Sequence, residues 1–391
     1  MKPRSKTLLT IGLIAAVISA AAIYDHYRNG RAHRPALSLP GQIYHLDDEL
    51  AAGKVYTIND EQGSFVTMIS RRVQPGNEII THEGKHYRVV KVNAGEATAV
   101  ARYIGLDQDL LAYNEFYSRP ELAATAAAQS KRPVAIYHTH SDESYLPTDG
   151  KISIPFHGGI IDVGSTFAEN LTANGTRVLH DKTPHDPHDN NAYYRSRRTA
   201  AALLQEAPLA MFDVHRDGID DPGIFRRNIS NRQVAQMRLV VGRQNPNMSA
   251  NLDFAKRLMS YANQVHWPVV KDIFISSGNF NQDLLSTALL IEAGTYTNRK
   301  EEAMGGVTQL ADAVPVVLGI TGGPAAGQGS AWTAVLRLLL IVLAGGGAYL
   351  LISAGSFSKA KERLSGLFTR ELGDVLGPLA KKILPRKRDK K

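Results

Sequence analysis

Apolar and polar positions alternate along this chain in four distinct ways. Residues 7–24 carry no charge and are dominated by Leu, Ile, Val and Ala, the length of a short spanning helix. Over 54–106 the pattern changes to short alternating stretches such as 87–92 and 98–103. These are split by Pro75-Gly76-Asn77 and Asn93-Ala94-Gly95, which predicts a small antiparallel β module. From 132 to 320, apolar runs of strand length alternate with helix-period segments. Strands are expected at 134–137, 176–180, 209–215, 237–242, 271–275 and 288–292, and helices at 161–173, 194–206, 250–265 and 299–318. Such alternation predicts an α/β fold, a mostly parallel sheet flanked by helices. In sheets of this kind ligands sit beyond the carboxyl ends of the strands. A last apolar run, 338–358, is uncharged throughout, with Trp332 and Arg337 just ahead of it at an expected interface.

The chain therefore divides into an N-terminal membrane anchor (1–27), a linker with Pro35 and Pro40 (28–53), the β module (54–106) and an Ala-rich connector (107–131). The α/β catalytic domain (132–320), a Gly-rich spacer (321–331), a second transmembrane helix (332–358) and a basic amphipathic tail (359–391) follow. Lys2, Arg4 and Lys6 hold the first span's start on the cytoplasmic side, which places the central part outside the cytoplasm. A signal peptide cleaved near Ser19-Ala20-Ala21-Ala22 is the alternative, and it exports the chain as well.

Composition sharpens this picture at three points. Forty-five Lys+Arg against 37 Asp+Glu leave a formal charge of +8, and residues 359–391 hold eleven of those cations against four acids. Nearly all of the excess is thus in the tail, suited to anionic lipid headgroups, while the rest is close to neutral and argues against a nucleic-acid partner. No cysteine is present, which excludes thiolate metal sites, disulfides and cysteine nucleophiles, so a metal would need His and carboxylate ligands. Ser196, Ser276 and Ser277 lack the Gly-x-Ser-x-Gly elbow of a serine hydrolase.

Three expected strand ends carry acid/base or metal-type residues. Val134-Ala-Ile-Tyr runs into His138-Thr-His140-Ser-Asp-Glu143, Leu209-Ala-Met-Phe-Asp-Val ends on His215-Arg-Asp217, and Ala288-Leu-Leu-Ile ends on Glu292. A hydrolytic zinc site needs about three protein ligands, an open position for water and a carboxylate to take that water's proton. His140, Glu143 and His215 can supply the ligands and Glu292 the general base. His138 shares a face with His140 in an extended chain and stands as the alternative ligand or as a partner that orients one. Arg216 is open between an oxyanion-holding role and an ion pair with Asp213 or Asp217. His180, His185 and His188 lie in a Pro/Asp-rich loop that borders a groove or is plain surface, and 279–283 is either cleft lining or a polar turn. No chemistry is legible in the β module, where His82 and His86 flank Gly84 in a turn.

The stretches His138-Thr-His-Ser-Asp-Glu-Ser-Tyr-Leu-Pro147, His180-Asp-Lys-Thr-Pro-His185-Asp, Tyr194-Arg-Ser-Arg, Phe212-Asp-Val-His-Arg-Asp217, Gly278-Asn-Phe-Asn-Gln-Asp283 and Leu289-Leu-Ile-Glu-Ala-Gly294 resemble the stage II sporulation protein P family. The resemblance spans about 54–321. It implies a zinc amidase-like fold and a membrane-anchored peptidoglycan hydrolase of endospore formation. Such an enzyme cleaves the N-acetylmuramoyl-L-alanine amide and also stem-peptide crosslinks, with Zn2+ as cofactor. The wider zinc amidase pattern maps its roles onto His140, His215 and Glu292, and Glu143 is assigned from the His-Thr-His-x-x-Glu motif. Action during engulfment beside stage II sporulation proteins D and M is implied in the same way. The second span and basic tail depart from the family pattern. A metal-dependent phosphoesterase, suggested by the paired histidines, and a non-catalytic membrane scaffold are the alternatives.

Overall fold

Strands buried on both faces favour apolar residues, and apolar runs mark the central strands found here, several of which also carry buried charges such as Asp213, Arg238 and Asp272. The computed structural model describes residues 49–119, 132–189 and 191–320, all within one compact unit. Both expected spans, the basic tail and nearly all of the linker lie outside the described residues. No helix among the described residues is long and apolar enough to cross a membrane. The N-terminal strands are β1 (Tyr56–Asp60), β2 (Phe65–Ile69), β3 (Glu78–Thr81), β4 (Lys85–Asn93) and β5 (Thr98–Leu106). They are followed by β6 (Val134–Tyr137), β7 (Val178–His180), β8 (Ala210–Asp217), β9 (Arg226–Ile229), β10 (Arg232–Ala235), β11 (Met237–Gly242), β12 (Val270–Ser276) and β13 (Ala288–Thr295).

Eleven of these strands form one sheet in the order β2-β1-β5-β4-β3-β12-β11-β13-β8-β6-β7. The expected β module is therefore continuous with the α/β sheet, because β3 pairs antiparallel with β12. Pairs β11–β12, β13–β8, β8–β6 and β6–β7 are parallel as expected, whereas β11 runs antiparallel to β13. The sheet also rolls back on itself. Thr67 on β2, at one edge, reaches Asp272 on β12 and Arg238 on β11. Ile58, Ile69 and Val89 likewise pack with Val240, Phe274 and Leu290, so the N-terminal strands roof one face of the central strands.

Helices α1 (Gln108–Tyr117), α2 (Leu146–Asp149), α3 (Ile160–Ala173), α4 (Ala192–Leu204), α5 (Met248–Val265), α6 (Lys300–Ala311) and α7 (Val314–Val317) complete the described residues. In α3 the buried positions Ile160, Val163, Gly164, Phe167 and Leu171 recur at three- and four-residue intervals, and in α5 Phe254, Leu258 and Ala262 do the same. Both helices cover the face that carries Phe212, Val214, Leu239 and Ile291. The expected helix at 299–318 is divided into α6 and α7. Pro315 lies at the start of α7, where it is tolerated, but it could not bond back into a continuous helix. The β9–β10 hairpin was not expected; Ser230 and Asn231 adopt φ of 53° and 61° there without the Asn-Gly pair that marks such a turn.

A charged knot ties the roof to the sheet. Arg238, 1% exposed, donates to Asp217 at 2.6 Å, to Asp272 at 2.7 Å and to Thr67 at 2.8 Å. Removing the cation deprives buried Asp217 of its ion pair and leaves buried Asp272 with Lys271 alone as its cation. Arg238→Met is therefore expected to cost about 3–5 kcal/mol of unfolding free energy, measured by urea titration, with the roof strands opening first.

Candidate metal centre

Register across the sheet assembles the site. Asp272 of β12 pairs with Arg238 of β11, Arg238 pairs with Glu292 of β13, and Glu292 pairs with His215 of β8, so all four lie in a row on one face. Within β8 the alternation adds Asp213 and Asp217 to that face. After Glu292 the β13–β8 register slips by one residue, and Gly294, at φ 68°, takes up the bulge. A Cβ on Gly294 would come within 2.6 Å of Ala235 Cβ and 2.8 Å of Asn298 Oδ1, so the strand can turn away behind Glu292 only with glycine there.

The loop after β6 brings His140 and Glu143 over this row. Glu49, His140, Glu143 and His215 each offer one ligand atom, and these atoms all lie within 4.8 Å of one another. His140 Nδ1 is 3.1 Å from Glu49 Oε2 and 3.7 Å from Glu143 Oε1, while His215 Nδ1 is 3.7 Å from Glu143 Oε2. Both histidines are buried, and burial alone would lower their pKa. Glu49 and Glu143 reverse this for His140, and Asp213 and Glu143 for His215, so both are raised. Burial works against the Glu143 carboxylate as well, but Arg216, His215 and His140 outweigh it and hold its pKa well below the usual range.

Supporting contacts fix these groups. Thr139 donates from its backbone N–H (2.8 Å) and its hydroxyl to Asp213, whose Oδ1 lies 2.9 Å from His215 Nε2. The Arg216 backbone N–H donates to Glu143 Oε2 at 2.9 Å. The Arg216 side chain donates to the carbonyl oxygens of Ser144 and Ile152 instead of pairing with Asp213 or Asp217, and it stands 3.6 Å from Glu143 Oε1. It is a brace for the Glu143 loop. His188 stacks on His140 with ring centroids 3.9 Å apart and contacts Asp142 and Glu49, so of the loop histidines it is the one at the groove. His185 bonds the His138 carbonyl and Thr199.

Glu292, 1% exposed, presents its Oε1 to Arg71 Nη2 at 2.5 Å and Nε at 3.2 Å. Burial pushes its pKa up, Arg71 pulls it back, Asp217 and Glu143 raise it further, and the outcome is about 7. A cavity of about 300 Å³ opens over the cluster, lined among others by Glu49, Arg71, His140, His188, Arg216 and Glu292.

The structure brings together His140, Glu143, His215 and, beside them, Glu292. It turns His138 away. Tyr137 ends β6, the chain leaves the extended form, and the rule that i and i+2 share a face no longer applies. His138 Nδ1 lies 2.8 Å from the Val214 carbonyl and its Nε2 2.9 Å from His180 Nε2, against Gly164 of α3, where a Cβ would come within 2.4 Å of the imidazole. Burial is the main cause that lowers the His138 pKa to about 4, and the charge of His215 adds to it, so the ring is neutral. Residues 279–283 form a hydrogen-bonded brace: Asp283 pairs with Arg197, Asn281 donates to Tyr193 O, and Gln282 bonds Gly242 and Val240. Sequence reasoning missed Glu49 and Arg71. Their only local signal is the acidic run Asp47-Asp48-Glu49 and the pair Arg71-Arg72.

Fold and site together define an α/β protein with a candidate metal-binding group at the carboxyl ends of its parallel strands and one further carboxylate beside it. The chain belongs to the stage II sporulation protein P (SpoIIP) family, whose family model matches residues 56–315. It is 27% identical over 201 residues to stage II sporulation protein P of Bacillus subtilis (strain 168), a match over 46% of this chain that spans about half of that relative's length, 50%. Among solved structures it is similar to the N-acetylmuramoyl-L-alanine amidase AmiC2 of Nostoc punctiforme, with 14% identity, 49% of this chain, 97% of that one and a TM-score of 0.30. It is also similar to the CwlD amidase of Clostridioides difficile, solved in complex with the GerS lipoprotein, with 12% identity, 48% and 96% coverage and a TM-score of 0.29.

Proposed function

We propose that this chain is a zinc-dependent peptidoglycan hydrolase that cleaves the N-acetylmuramoyl-L-alanine amide, and stem-peptide crosslinks as a second activity, in sporulation. The observation that carries the reading is a buried set of donors left without hydrogen bonds: Nε2 of His140, Nδ1 of His215 and Glu143 Oε1, with Glu292 Oε2 in the same condition beside them. Buried polar atoms in this state cost about 1–3 kcal/mol each unless something else satisfies them. Two imidazoles and a carboxylate suit Zn2+. His140, Glu143 and His215 would hold the ion, with Glu49 beside them on the cavity side. When bound, zinc polarises a carbonyl and brings the pKa of a water to ~7.

The rest is done by the chain's own groups. Glu292 Oε2 takes a proton from the attacking water as its oxygen bonds to the amide carbon, then returns a proton to the departing alanine nitrogen as the C–N bond breaks. A pKa near the working pH allows both transfers. Asp213 holds the His215 ring in one orientation, so Asp213→Asn is expected to weaken zinc affinity about 10–100-fold, measured by chelator competition.

The membrane spans and an extracytoplasmic catalytic domain belong to the same proposal, as does work beside stage II sporulation proteins D and M. Zinc content and release of stem peptides from purified sacculi test the activity. Hydrolysis of phosphate esters without stem-peptide release would replace it with a phosphoesterase, and neither activity with a scaffold.

A further inference from the structure

We infer that Arg71, two residues past the end of β2, is a positioning residue that aims Glu292 at the reaction centre; this deepens the hydrolase reading and rests on it. A carboxylate can act as a base only if one oxygen is presented and held. Arg71 donates twice to the same oxygen, Oε1, and Oε2 is left buried without a hydrogen bond. Rotating the Glu292 carboxylate would break both contacts at once, so the free oxygen is kept in place.

The guanidinium is itself locked on every side. Arg71 is 4% exposed, its Nη2 also lies 2.8 Å from Glu49 Oε1, and its Nη1 donates to the Tyr193 hydroxyl at 3.4 Å. Its carbon stands 5.5 Å from the centroid of the Phe280 ring, and a backbone bridge joins residue 71 to residue 49. Tyr193, for its part, rests against His140 and His215. Arg71 therefore registers the base against the histidine side of the site. A planar fork can make this pair of contacts to one oxygen while bridging to a second carboxylate, and an ammonium point charge cannot. The segment of residues 54–106, in which no chemistry was legible, thus supplies part of the catalytic geometry through the stretch after β2.

The experiment compares the full chain with Arg71→Gln, Arg71→Lys and Arg71→Ala on purified sacculi, with zinc content measured for each. Misplacing a base by about 1 Å costs on the order of 10²-fold, so Arg71→Gln should lose about 10²-fold in kcat, with KM and zinc content held near those of the unsubstituted chain. Arg71→Lys should fall between the two. Added guanidinium ion should restore about a tenth or more of kcat to Arg71→Ala, since the arginine borders the cavity. Unchanged kcat in Arg71→Gln overturns the inference, as does a rise in KM at constant kcat. Loss of zinc in both Arg71→Gln and Arg71→Lys also overturns it, by making the arginine a support of the fold. An unsubstituted chain that releases no stem peptides would instead remove the hydrolase reading itself.

Discussion

Glu292→Gln is expected to lower stem-peptide release about 10²–10⁴-fold while zinc content stays at that of the unsubstituted chain. The substitution is nearly isosteric. The remaining amide oxygen can accept from Arg71 as Oε1 does now, and Arg71 keeps its second carboxylate, Glu49, at 2.8 Å. His140, Glu143 and His215 are untouched, so the donor set survives. What disappears is the lone pair at Oε2 that can carry a proton, and an amide at that position neither takes one from water nor returns one to an amine. Mass-spectrometric counting of released stem peptides, alongside metal analysis, checks both halves. Turnover at the original rate would exclude Glu292 from the proton transfers.

The second large effect separates two neighbouring histidines. His140→Ala and His215→Ala should each lose bound zinc and with it all measurable hydrolysis, because each removes one of three protein donors from a buried site. His138→Gln should keep zinc, since both ring nitrogens of His138 are engaged elsewhere, by the Val214 carbonyl and His180. Metal analysis of the purified variants, with circular dichroism to confirm folding, reads the difference directly. Zinc lost with His138 and kept without His140 would reverse the ligand assignment.

Much of this arrangement was legible in the chain itself. β6 and β11 span the residues expected from their apolar runs, since a strand covered on both faces is built mainly from apolar residues; Arg238 in β11 is buried only because Asp217 and Asp272 meet it. His140, Glu143, His215 and Glu292 were visible because ionisable residues appear abruptly after apolar runs, and all four stay buried in the fold. The ordering of β11 against β13 was not legible, because the connections around it are long enough for either direction. His138 was ambiguous for a related reason, as the face of a residue past a strand end depends on the turn that follows.

The sequence alone determined the α/β architecture, the strand ends that carry ligand-type residues and the family, because alternation, run length and motif order are local properties of the chain. Only the tertiary structure decided that Glu49 comes within reach of His140, Glu143 and His215 and that Arg71 grips Glu292 across 221 residues. That contact exists because the sheet rolls its N-terminal strands over the face of β11–β13, and no local pattern encodes which buried cation a distant carboxylate will meet.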